Sequence, residues 1–69
     1  MAKGNWEIFI DSCVNDERIK KCKTYKEINK IIRADLKKAY EGKASMGKIL
    51  AVADDATESV SLRMGMPQD

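Results

Sequence analysis

Lys48-Ile49-Leu50-Ala51-Val52-Ala53 is the stretch on which the fold turns. Six residues are too few to separate the period of a strand from that of a helix, and this run is apolar on both faces, so either fits. As a strand it leads into a turn at Asp54 to Thr57. A second strand then follows, in which Val60, Leu62 and Met64 alternate with Ser59, Ser61 and Arg63. As a helix it would begin at Ser45 and run into Asp55. The strand reading is preferred, with the helix as its rival.

Upstream, Thr24 followed three residues later by Glu27 forms a capping box, in which each side chain satisfies a backbone donor of a helix's first turn. Ile28, Ile31, Ile32, Leu36, Ala39 and Tyr40 then recur at the spacing of one helical face, and Gly42 supplies a left-handed stop. The spacing predicts a helix from Tyr25 to Glu41. Before it, Trp6-Glu7-Ile8-Phe9-Ile10-Asp11 alternates apolar and polar residues until Phe9 breaks the pattern, and its β-branched and aromatic content predicts a strand. Asn15-Asp16-Glu17 reads as a turn. Arg18 to Lys23, with only Ile19 and Cys22 apolar, reads as a return strand at a sheet edge, where lysines discourage pairing with other chains.

The order strand, strand, helix, strand, strand predicts an α+β fold. It is a single domain over residues 1–69, a two-layer ββαββ sandwich with one amphipathic helix on an antiparallel sheet. One helix covers only one sheet face. Phe9, Cys13, Leu50 and Val52 fall opposite Ile8, Ile10, Ile49 and Ala51, so apolar residues are left with no layer above them. A second copy of the chain or a partner protein on Phe9, Leu50 and Val52 is the expected cover, and a homodimer the expected state.

The chain has 69 residues, no histidine and two cysteines. A chain of that length buries only about 60% of the surface its unfolded form exposes, so outside support is worth seeking. Cys13 and Cys22 cannot complete a tetrahedral zinc site without histidine, and neither a metal nor a cofactor is expected. Nine positions apart, they could oxidise across a hairpin. With nothing resembling a secretion signal before them, two free thiols in a reducing cytosol are the expectation. No apolar run approaches the roughly 18 residues that span a bilayer, which predicts a soluble, cytoplasmic protein with no membrane partner.

Gly42-Lys43-Ala44-Ser45-Met46-Gly47-Lys48 has the spacing of a phosphate-binding G-x-x-x-x-G-K loop. Ile49 stands where a magnesium-holding hydroxyl is needed, the segment follows a helix instead of a strand, and no parallel sheet fits in so short a chain. The glycines are read as a helix stop and a flexible connection. Asp54 and Asp55 are adjacent carboxylates, but in a predicted turn aspartate serves the backbone. Without a base that titrates near neutral pH, no enzymatic activity is expected.

The formal net charge of +2 is unevenly spread: Arg18 to Lys38 is strongly basic against only Glu27 and Asp35, and the balance reverses after Ile49. On the predicted helix Lys26, Lys30, Arg33 and Lys37 form one stripe opposite the isoleucines, and Lys23 extends it. Such a stripe suits an anionic partner, with contact mainly to phosphates if that partner is nucleic acid. A solvated face explains it as well. Asp35 falls between Ile28 and Ile31 on the packing face, which calls for a mate: Arg63, Lys38 or a partner's arginine.

Two functions follow as expectations. The first is a small non-catalytic binding protein that acts as a stoichiometric inhibitor or accessory factor on a larger complex, in the manner of compact phage inhibitors of host machinery. The second is a sequence-nonspecific nucleic-acid-binding protein that uses Lys23, Lys26, Lys30, Arg33 and Lys37.

Overall fold

The computed structural model describes residues 4–65. They form four helices, α1 over Asn5–Val14, α2 over Glu17–Lys20, α3 over Tyr25–Tyr40 and α4 over Met46–Arg63. No strand occurs among the described residues, so the α+β sandwich is corrected to an all-helical fold.

The expected helix forms as its caps dictate. The Thr24 hydroxyl accepts from the Glu27 amide at 3.2 Å, and the Glu27 carboxylate accepts from the Lys23 amide at 3.2 Å. At the other end Gly42 takes φ +79°, and the Lys43 and Ala44 amides donate to the Tyr40 carbonyl at 2.8 and 3.1 Å. A side chain at Gly42 would meet no neighbour, so what glycine supplies there is freedom from left-handed backbone strain.

No predicted strand forms among the described residues, helix taking most of each one's length, and each error has its own cause. Trp6 to Asp11 belongs to α1, because Trp6, Phe9, Ile10 and Cys13 lie at i, i+3, i+4 and i+7. Ile8, which the alternation would bury, is 54% exposed. The return strand over Arg18 to Lys23 is replaced by the single turn of α2, with Asp16 accepting from the Arg18 amide at 2.8 Å. Ile19 of α2 and Cys22 just beyond it are buried in the core.

Lys48 to Ala53, the predicted turn at Asp54 to Thr57 and the alternating stretch after it are one continuous helix, α4. Ser45 caps it by accepting from the Lys48 amide at 3.3 Å, which is the start the rival reading gave. The alternation of Val60, Leu62 and Met64 is accidental. α4 buries Ile49, Ala53, Ala56, Thr57, Val60 and Ser61, a helical stripe that contains two hydroxyls, and it leaves Leu62 63% exposed. The hydroxyls tolerate burial because Thr57 donates to the Ala53 carbonyl at 2.6 Å and Ser61 to the Glu58 carbonyl at 2.9 Å.

α3 and α4 make the most extensive contact in the molecule and run antiparallel across the connection 41–45. Ile28, Ile32 and Leu36 of α3 are buried in the same core as Ala53, Ala56, Thr57 and Val60 of α4, large side chains from one helix and mostly small ones from the other. Each isoleucine, about 99% buried or more, contributes about 1.5–3 kcal/mol relative to exposure. Asn29, buried in this contact, donates to Thr57 Oγ1 and Asp54 Oδ1, both at 3.0 Å. No buried side-chain nitrogen or oxygen among the described residues lacks a partner. α1 lies against α4 with Ile10 and Cys13 in the core, and Arg63 is ion-paired to Asp11.

Candidate functional site

The apolar stripes of α1, α3 and α4 outrun the core at one end of the bundle. Phe9 opens α1's stripe with Trp6, Ala39 and Tyr40 close that of α3, and Ile49 and Val52 begin that of α4. Between them lies a groove of about 700 Å³, floored by Phe9, Leu36, Ile49 and Val52 and flanked by Trp6 and Tyr40. The Trp6 and Phe9 rings are 6.0 Å apart and tilted by 47°, a spacing at which aromatic pairs attract. Trp6 remains 43% and Tyr40 50% exposed.

The polar groups at the groove are Asn5, Asp35, Lys43 and Lys48. Asp35 is ion-paired with the Arg18 guanidinium, which donates to its two oxygens at 3.3 and 2.7 Å and is shared with Asp16 at 2.7 Å. This corrects the expected mates of Asp35, since Arg63 is engaged elsewhere and Lys38 makes no ion pair among the described residues. Asp35 also lies at the exposed edge of α3's packing face instead of within it, because Ile31 beside it is only half-buried. Lys43 and Lys48 have no acidic partner among the described residues. The groove is therefore apolar within and positive at its margin.

Of the residues expected to bind a protein, Phe9 and Val52 meet on this groove, whereas half-buried Leu50 lies outside its lining. The open sheet face that grouped the three does not exist. Trp6, Leu36, Tyr40, Lys43 and Lys48 escaped the sequence reading. Their signal was present in stripes that continue past the buried stretch of each helix.

The basic stripe lies as expected on the exposed side of α3. Lys26, Lys30, Arg33 and Lys37 are all exposed, and Lys23 precedes the cap. Arg33 is ion-paired to Asp54 of α4 at 3.3 Å. Lys23, Lys26, Lys30 and Lys37 make no ion pair among the described residues, and Glu41 does not reach Lys37. Tyr25, Lys26, Asn29, Lys30 and Arg33 line a shallow depression of about 400 Å³ on this face.

The remaining candidates for chemistry are muted. Cys13 and Cys22 are buried free thiols. Burial, reinforced by Asp16, pushes the Cys13 thiol up to about 11 and raises Cys22 as well, so neither is a thiolate near neutral pH. Gly42 and Gly47 of the loop-like motif divide between the end of α3 and the first turn of α4, so the segment is a short helix-to-helix turn instead of a phosphate cradle. Among the described residues no cluster of acids and cysteines is placed to hold a metal ion, and no helix is long and apolar enough to cross a membrane. Comparison with protein-family models, with curated proteins and with solved structures finds no match.

Proposed function

We propose that this chain is a non-catalytic protein-binding module that acts as a stoichiometric inhibitor or accessory factor, covering part of a larger assembly with the groove between α1, α3 and α4. The observation that carries this reading is the half-exposure of Trp6 and Tyr40 around an apolar floor continuous with the core. Tryptophan and tyrosine in such positions are the usual anchors of protein interfaces, because each buries a large area while its polar atom stays near water. In a chain this small, their exposure costs stability that a partner's contact recovers.

The test is site-specific photo-crosslinking in nuclease-treated extract of the native cell. A crosslinking residue at Tyr40 should yield one discrete protein adduct, and the same residue at Lys30 should not. Adducts at Lys30 alone, lost on nuclease treatment, would overturn the reading.

One observation favours a second reading, sequence-nonspecific nucleic-acid binding by α3, namely that Lys23, Lys26, Lys30 and Lys37 make no ion pair among the described residues. Four or five neutralised phosphates would make the logarithm of affinity fall with the logarithm of salt at a slope near about −4. Anisotropy titrations with duplex and single-stranded DNA and RNA at low salt decide it. Lys26→Glu with Lys30→Glu should abolish binding while the fold persists, since both side chains point away from the core.

A further inference from the structure

We infer that the Trp6 groove receives an amphipathic helix of a partner protein whose apolar stripe is flanked by carboxylates. This rests on the protein-binding reading and specifies the partner's chemistry. The described chain offers no strand edge for an extended segment to join, so recognition falls to side chains seated in a groove, the mode used for helices that present anchors at i, i+4 and i+7.

Charge selects which helix. Lys43 and Lys48 stand at the margin, and the one carboxylate among the described residues there, that of Asp35, is already held by Arg18. A ligand helix with aspartate or glutamate beside its anchors meets two lysines that have no acidic partner among the described residues. A basic one meets repulsion. A two-fold contact of two copies centred on the groove would bring like-charged lysines together, which disfavours the chain as its own ligand.

Lys48 carries independent weight. It is the third residue of α4, where Glu27 stands in α3 and where a carboxylate would both complete a capping box with Ser45 and favour the helix dipole. α4 has no acid in its first turn. A lysine at that position opposes the local helix, and it lies on the groove. A residue that breaks a local rule beside an open site is explained by what the site binds.

A display library of helical peptides of about five turns (roughly 18 residues), panned against the full chain, provides the test. Winners should carry large apolar residues at i, i+4 and i+7 with Asp or Glu beside them. Once synthesised they should shift the emission of Trp6, the single tryptophan of the chain. In Lys43→Glu with Lys48→Glu the affinity should fall on the order of tenfold and recover when the peptide's acids are changed to lysine, with circular dichroism unchanged.

Winners that are basic, proline-rich or indifferent to the charge reversal would keep the groove as a binding site and overturn the acidic helix. No winner would overturn the acidic helix, and winners that bind but leave Trp6 emission unmoved would overturn the groove as their site. A micromolar dimer abolished by Val52→Glu would give the groove to a second copy and overturn the inference as well.

Discussion

α3 and α4 build one interface from opposite materials. α3 contributes isoleucine and leucine, begins on the Thr24 cap with Glu27 in its first turn accepting from the Lys23 amide, carries Lys37 and Lys38 in its last and stops at Gly42. α4 buries Ile49 near its start and then Ala53, Ala56, Thr57, Val60 and Ser61, begins on Ser45 with no acid in its first turn, and places Gly47 where a helix former would serve better. α3 is specified by its own sequence, whereas α4 is a helix largely because α3 is beside it.

Removing bulk from α3 should have the largest effect. Ile32→Ala empties space that the small residues of α4 cannot refill, and should cost about 2–5 kcal/mol in a denaturant titration. Adding bulk to α4 comes next: Ala56 is fully buried, and Ala56→Leu should cost about 1–3 kcal/mol by forcing the helices apart. If Ala56→Leu were neutral, the two helices would not be closely packed and the contrast would fail.

The ends of the helices sharpen the same comparison at smaller amplitude. Thr24→Ala removes the cap of α3 and should lower stability by about 1 kcal/mol. Lys48→Glu should do the reverse to α4, raising stability by about 0.3–1 kcal/mol, because it supplies the missing acid of the first turn. A thermal melt that moved down for Lys48→Glu would show that its charge serves the fold, and would remove that support for the acidic partner.

The same contrast explains what the sequence disclosed. α3 was legible because large β-branched residues and a capping box announce themselves. α4 was not, because Thr57 and Ser61 count as polar in any binary pattern, and only the folded helix shows their hydroxyls bonded to its own carbonyls. With those two read as polar, Val60, Leu62 and Met64 were left to suggest a strand. α1 failed for a shorter reason: its alternation ends at Phe9, and the helical spacing of Trp6, Phe9, Ile10 and Cys13 appears only when the window extends past Asp11. The placement of Lys26, Lys30, Arg33 and Lys37 on an exposed side of α3 is legible because it rests on the well-specified helix, whereas the pairing of Arg33 with Asp54 is not, since it needs α4 as a helix. The groove is not legible, since it needs three helices at once and the sequence suggests strands for two of them.

The connection 41–45 between α3 and α4 also bears on the order in which the molecule assembles. Helices joined by so short a turn find each other through a small loop closure, the circumstance in which chains fold in microseconds to milliseconds. The α3–α4 hairpin is expected to form first, and α1, whose partners on α4 are distant in sequence, to dock afterwards. Trp6 and Phe9 reach their places only in that last step. Amide exchange should therefore be slowest in α3 and α4 and faster in α1, with the groove opening by local detachment of α1 below the free energy of global unfolding. A ligand seated against Trp6 would close that opening, so slowed exchange across α1 would register occupancy as a change in kinetics, without any change of shape.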